Sequence, residues 1–145
     1  MKELVLIDGN SLLNRAFYAT KLLSTKDGTP TNAVFGFIKL LLKIISDNKP
    51  DKLIVTFDLK APTFRHKMYD GYKATRKPMP DDLAAQVGIL KSLLKSMDIC
   101  MCEKEGYEAD DLIGTLSHAF ADTHSIIITG DRDSYQLVDE RTDVY

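Results

Sequence analysis

The sequence predicts an α/β fold, a mostly parallel central sheet with helices on both faces. Three observations carry that prediction. Short apolar runs of strand length recur at residues 4–7, 53–57 and 125–129, and stretches with helical periodicity separate them. The runs are apolar at successive positions rather than alternate ones, as in strands covered from both sides. Each is followed at once, or after a single glycine, by an acid: Asp8, Asp58 and Asp131. In open α/β sheets that is the edge where ligands bind.

Residues 4–7, Leu-Val-Leu-Ile, read as a buried strand entering a tight turn at Asp8-Gly9-Asn10. A helix over about 11–23 follows, with Leu12, Leu13, Ala16, Phe17 and Leu23 apolar and Asn10 or Ser11 as its cap. Residues 27–30, Asp-Gly-Thr-Pro, form a turn. Val34, Phe37, Ile38, Leu41, Leu42 and Ile45 keep the helical period across residues 32–47, and Asn48-Lys49-Pro50-Asp51 stops it. The second strand covers 52–57 and ends in Asp58. After a basic segment closed by Pro78 and Pro80, Asp81 and Asp82 open a helix lined by Leu83, Val87, Leu90, Leu94 and Met97. Residues 98–102 make a weak third strand. An acidic stretch then opens a helix to about residue 121, with Leu112, Ile113, Leu116 and Phe120 on one face. The fourth strand, 125–129, is followed by Gly130-Asp131-Arg132-Asp133, a short helix at 135–138 and the start of a fifth strand at 143–145. No internal repeat or low-complexity linker divides the chain, so residues 1–145 read as one domain.

The bulk numbers exclude several classes. A chain of 145 residues holds one domain with a real core. Its 44% hydrophobic and 28% charged residues are ordinary for a soluble globular protein. No run approaches the roughly 20 apolar residues of a membrane span, and the N-terminal run is too short for a signal sequence. The expected location is the cytoplasm, with no membrane partner. Cys100 and Cys102 lie on one face of a strand without C-x-x-C spacing and read as two small core residues. His66, His118 and His124 show no ligand spacing and read as surface or packing residues.

Charge is distributed unevenly. Lys60, Arg65, Lys67, Lys73, Arg76 and Lys77 stand against a single acid, Asp70, so residues 60–77 carry +5 and the rest of a chain of net −2 carries −7. Basic residues interleaved with Phe64 and Tyr72 suit a phosphate backbone with stacked bases; alone, the segment would read as a solvated amphipathic helix. Arg15 is a further candidate phosphate contact.

The acids suggest the complementary chemistry. Glu108, Asp110 and Asp111 crowd the start of a helix, and at about 100° per residue Glu108 and Asp111 fall about 60° apart. One acid, or two, would serve capping and the helix dipole. Three on one arc repel each other unless a cation lies between them. With Asp8, Asp58, Asp131 and Asp133 they make seven carboxylates expected at one sheet edge, which cannot all stay ionised without counter-charge. Oxygen donors without a His/Cys set favour magnesium or manganese over zinc. Two such ions about 4 Å apart suit phosphodiester hydrolysis.

Four stretches resemble the 5′-nuclease (flap endonuclease) superfamily: Leu6-Ile7-Asp8-Gly9-Asn10, Phe57-Asp58-Leu59-Lys60-Ala61-Pro62-Thr63-Phe64-Arg65, Gly106-Tyr107-Glu108-Ala109-Asp110-Asp111 and Gly130-Asp131-Arg132-Asp133-Ser134-Tyr135-Gln136-Leu137. With Tyr72-Lys73-Ala74-Thr75-Arg76 they are most similar to the N-terminal 5′→3′ exonuclease domains of bacterial DNA polymerase I, in the same order over the whole chain. The resemblance implies a PIN-like three-layer fold with a basic helical arch inserted at about 60–80. It implies two Mg²⁺ ions, with Mn²⁺ as a substitute, and cleavage of 5′ flaps and ends of DNA or of RNA primers in replication and repair. Asp8, Asp58, Glu108, Asp110, Asp111, Asp131 and Asp133 would be the metal ligands, Asp110 being the acid on which catalysis is tested. Lys73 and Arg76 would steady the scissile phosphate within the arch, and Tyr72 would stack on a base. Phe64, Arg65, Lys67 and Lys77 would line the strand's path, with Arg15 and Phe17 near the DNA on the first helix. Family members continue into a helix-hairpin-helix region with two further aspartates, so the resemblance implies that the natural chain continues into the rest of DNA polymerase I.

Other readings compete. A D-x-D phosphatase would use Asp131-Arg132-Asp133, but after its first strand rather than its fourth. A signalling receiver gathers aspartates at strand ends without explaining the basic segment. A PIN-type ribonuclease shares the metal logic but lacks a long arch. A truncated module would bind metal and nucleic acid while cleaving poorly.

Overall fold

The structure, a computed structural model, describes residues 2–58, 79–104, 107, 109–120, 122–130 and 132–145. The arch expected at about 60–80, with Phe64, Arg65, Lys67, Tyr72, Lys73, Arg76 and Lys77, lies outside the described residues, as do Glu108 and Asp131.

The elements are β1 (Lys2–Asp8), α1 (Gly9–Ala19), α2 (Asn32–Asn48), β2 (Lys52–Thr56), α3 (Asp81–Ser96), β3 (Cys100–Cys102), α4 (Ala109–Ala119), β4 (Thr123–Ile128), a 3₁₀ turn (Arg132–Leu137) and β5 (Thr142–Val144). The five strands form one sheet in the order β3-β2-β1-β4-β5, and every neighbouring pair is parallel.

That order explains the layers. From β1 the chain steps outward to β2 and β3 through α1, α2 and α3, then returns across the sheet to β4 through α4. Right-handed crossovers in opposite directions put their helices on opposite faces. One face accordingly buries Leu12, Leu13, Phe37, Leu41, Leu83, Leu90 and Leu94 from α1, α2 and α3 against Val5, Ile7, Val55, Phe57 and Ile126. The other packs Ile113 of α4, with Leu116, Phe120 and Leu137 at its margin, on Leu4, Leu6, Ile54 and Ile127. Alternate residues of β1 serve the two cores, which is why its four apolar positions are consecutive and all essentially inaccessible.

Several boundaries differ from the sequence expectation. No turn separates β1 from α1. The helix starts at Gly9 because Asp8, rather than Asn10 or Ser11, is the cap, its carboxylate accepting the Ser11 N–H at 3.1 Å. Gly9 is required there: a Cβ would lie 2.6 Å from the Phe57 ring and 2.7 Å from the Thr56 carbonyl oxygen. The helix ends at Ala19 instead of about residue 23, with Thr20 turning extended and Leu22 and Leu23 exposed. Those leucines meet no sheet to hold them helical, and the chain bends instead into a Thr25–Thr29 turn closed by a Ser24–Pro30 bridge. Cys100 is exposed and Cys102 is half-buried, so they are not two core residues; β3 is the edge strand of the sheet, where cover is thinnest. Burial pushes the Cys102 thiol up, away from a reactive thiolate. β4 begins two residues early, at Thr123, and stops before Thr129. β5 is assigned from Thr142, although the Tyr145 N–H still donates to the Ile127 carbonyl at 2.7 Å. Among the described residues no helix is long and apolar enough to cross a membrane.

One corner is held by a buried amide. Thr31 precedes α2 without a side-chain capping bond. Gln86 of α3, fully buried, supplies the cap from outside: its oxygen accepts the Ala33 and Val34 N–H groups at 2.7 and 3.1 Å. Its nitrogen donates to Asn32 Oδ1 at 2.9 Å and to the Asp82 carbonyl at 3.0 Å. Asn32 in turn donates to the Phe17 carbonyl at 3.0 Å, so α1, α2 and α3 are tied at one point.

Candidate metal centre

The register aligns the carboxyl ends of three strands. Asp8 pairs with Thr56, and Ile7 with both Val55 and Ile128. The next residues along β2 and β4, through Asp58 and Thr129, therefore emerge beside Asp8. The crevice between β1 and β4 is where the sheet order reverses, the usual binding position in such folds.

Asp8 is buried, 5% exposed. One of its carboxylate oxygens takes the Ser11 N–H and the other the Thr129 hydroxyl at 3.1 Å. The Asp58 N–H donates to Asn10 Oδ1 at 2.8 Å. The Asp58 carboxylate accepts the Ala109 N–H at 2.5 Å, so an acid at the end of β2 caps α4, the helix that carries Asp110 and Asp111. Ser11 Oγ accepts the Gly130 N–H at 2.7 Å. Phe57, buried beneath Asp58, lies against Gly9 and under the Lys91 ammonium, 5.0 Å from the ring centroid. Lys91 also pairs with Glu103 at 2.8 Å, on the segment leading toward the acidic helix.

Of the seven predicted ligands, then, Asp8 and Asp58 emerge at this edge from adjacent strands, and Asp111 is half-buried in the first turn of α4. Asp110 and Asp133 have their backbones in α4 and the 3₁₀ turn, but their side chains lie outside the description, with Glu108 and Asp131. Among the described residues no three His, Cys, Asp or Glu side chains form a metal-holding group. What is described nevertheless fits a hard cation. The donors are oxygens, and Asp58 commits one carboxylate oxygen to a backbone N–H while its other meets no donor among the described residues. The two described histidines stand aside: His118 is exposed, and His124 pairs with Asp143 at 2.8 Å on β4 and β5, while His66 lies outside the described residues.

Arg15 is exposed on α1. Phe17 is half-buried against the larger core and stacks edge-on with Tyr18, whose ring is 5.1 Å away and is the aromatic that α1 presents to solvent. The sequence gives Asn10 and Ser11 no role beyond capping and Thr129 and Gly130 no role of their own, although Asn10 and Gly130 stand in stretches that carry the resemblance. The available signal was their position, immediately beyond the last apolar residue of a strand.

The family described as 5′-3′ exonuclease, N-terminal resolvase-like domain matches residues 3–145. A DNA polymerase I of Caldicellulosiruptor bescii is 46% identical over 140 residues, covering 95% of this chain and 16% of that protein. A 5′-3′ exonuclease of Aquifex aeolicus is 42% identical over 142 residues, covering 97% of this chain and 49% of its own length. This chain thus spans less than half of either relative. Among solved structures, a bacteriophage T5 flap endonuclease in a pseudo-enzyme–product complex with DNA and metal ions superposes with a TM-score of 0.72 at 17% identity, covering 99% of this chain and 54% of that one. The three-layer PIN-like architecture is common to both.

Proposed function

The chain belongs to the family of 5′-3′ exonuclease N-terminal, resolvase-like domains, and from that premise we propose that it hydrolyses phosphodiester bonds as a metal-dependent 5′→3′ exonuclease and flap endonuclease. The observation that supports this reading is that Asp8 and Asp58 emerge from the adjacent ends of β1 and β2, beside the reversal point of the sheet, with α4 capped onto the same edge. We assign Mg²⁺, replaceable by Mn²⁺, to that edge, with Asp8, Asp58, Glu108, Asp110, Asp111, Asp131 and Asp133 as its ligands, some through water. Bound divalent ions supply an activated water and neutralise charge developing on the phosphate.

The chain's own residues do the rest. The Thr129 hydroxyl and the Ser11 N–H hold Asp8 in one orientation, and the Ala109 N–H does the same for Asp58. Lys73 and Arg76 hold the scissile phosphate and Tyr72 stacks on the neighbouring base. Phe64, Arg65, Lys67 and Lys77 track the strand, and Arg15 contacts a phosphate of the DNA near Phe17. The substrates are DNA with 5′ ends or flaps and RNA primers. Residues 1–145 act as the nuclease domain.

The test offers this 145-residue chain a labelled 5′-flap DNA with Mg²⁺ and then Mn²⁺, beside the Asp110→Ala variant. Metal-dependent cleavage lost in the variant is expected. Equal cleavage by the variant removes the acidic helix from the mechanism. Metal-dependent flap binding without cleavage would make this chain a non-catalytic binding module.

A further inference from the structure

We propose that Asn10 and Ser11 are positioning residues that set the distance between the acid-bearing ends of β2 and β4. The inference rests on the metal-dependent reading above and adds to it two side chains that ligate nothing themselves.

The geometry is specific. α1 begins directly at the end of β1, the strand that lies between β2 and β4. Its first turn therefore stands over the crevice with a neighbour on each side. The two consecutive side chains reach in opposite directions. Asn10 Oδ1 accepts the N–H of Asp58, beyond β2, at 2.8 Å, and Ser11 Oγ accepts the N–H of Gly130, beyond β4, at 2.7 Å. The partners lie 48 and 119 residues away in sequence. Both bonds end on backbone, so they hold the path of the chain rather than a rotamer. The first holds the Asp58 backbone while the Ala109 N–H holds its carboxylate. The second holds the residue next to Asp131 in sequence.

The contacts are also tight. A Cβ on Gly130 would lie 2.9 Å from Ser11 Oγ, so the loop after β4 sits directly on the hydroxyl. The oxygen of Asn10 faces a backbone N–H, which requires the amide orientation with its nitrogen turned away from Asp58. Beyond Ile128 and Thr56 the ladders to β1 end, and in the described residues these two side-chain bonds continue the link from α1 to β2 and β4. Without them the carboxylates would remain present, but the Asp58 and Gly130 backbones would lose their ties to α1, leaving the Thr129 hydroxyl on Asp8 and the Ala109 N–H on Asp58 to hold the edge. Outer-shell partners of this kind cost about 10–100-fold in metal affinity or activity when removed.

The test is a Mn²⁺ titration of the 145-residue chain, followed by loss of the free-ion electron paramagnetic resonance signal, with thermal melting in metal-free buffer run in parallel. Wild type, Ser11→Ala, Asn10→Ala and Ser11→Thr are compared. The expected result is a half-saturation concentration raised about tenfold or more in each alanine variant, at a fraction folded equal to wild type, and restored in Ser11→Thr, which keeps the hydroxyl. Unchanged half-saturation in folded Ser11→Ala and Asn10→Ala overturns the proposal. So does a loss that merely follows a lowered melting temperature and is not rescued by Ser11→Thr. A wild-type chain that binds no Mn²⁺ overturns the metal-dependent reading and this inference with it. That failure is seen in the wild type, whereas failure of the positioning role is seen only in the variants.

Discussion

Gln86, at the corner of α2 and α3, and Asp58, at the carboxylate edge, each cap a helix that is not their own. Gln86 closes the start of α2 and Asp58 the start of α4. The two differ in what is left over. Gln86 is fully buried and uses both its oxygen and its nitrogen, two bonds to each. Asp58 is only half-buried, carries a charge, and has an oxygen that meets no donor among the described residues. A polar group with every lone pair and proton used can stabilise a fold but can do little else. A charged one with capacity remaining at an accessible edge can bind.

The largest effect is expected where the satisfied corner is broken. Gln86→Leu leaves the Ala33 and Val34 N–H groups and Asn32 Oδ1 without partners, each at a cost of about 1–3 kcal/mol. We expect urea denaturation to show a loss of about 3 kcal/mol, with Mn²⁺ affinity of the folded protein unchanged. A loss within the error of the measurement would mean that water re-satisfies the corner, and that it is not a closed network.

The opposite pattern is expected at the edge. In Asp58→Asn the amide oxygen can still accept the Ala109 N–H, so stability should change by less than about 1 kcal/mol, while Mn²⁺ half-saturation rises by at least about tenfold. If stability collapses and metal affinity holds, Asp58 is a cap and the distinction between the two regions fails.

Ser125 sharpens the contrast from a third position. Its hydroxyl is buried in β4, on the same face as Ile127, and has no hydrogen-bond partner among the described residues. It has capacity remaining but lies away from any edge where a ligand could use it. Ser125→Ala should therefore raise stability, by about 1 kcal/mol, read as a higher urea midpoint. A loss of similar size would mean that an internal water serves that oxygen.

The strands and helices were legible because their signals are local. The consecutive apolar residues of β1 announce a strand covered on both faces, and the spacing of Val34, Phe37, Leu41 and Ile45 announces α2. The strand ends are legible too, which puts Asp8 and Asp58 at one edge from the sequence alone, as the register of β1 and β2 bears out. The end of α1 is not legible, because Leu22 and Leu23 continue an apolar pattern yet lie exposed. Nor is its cap, because Asp8 ends a strand and caps the helix at once.

The set of elements, their parallel arrangement and the acidic character of one edge are therefore encoded locally, since each follows from periodicity or from neighbours a few residues apart. Which polar groups serve which backbone follows from the packed layers alone: Gln86 for α2, Asp58 for α4, Asn10 for the end of β2 and Ser11 for the end of β4. Those bonds join residues 48 to 119 apart, and each depends on where the layers bring two chain ends within about 3 Å. A hydrogen bond is set by that final distance, and no local pattern of residues encodes it.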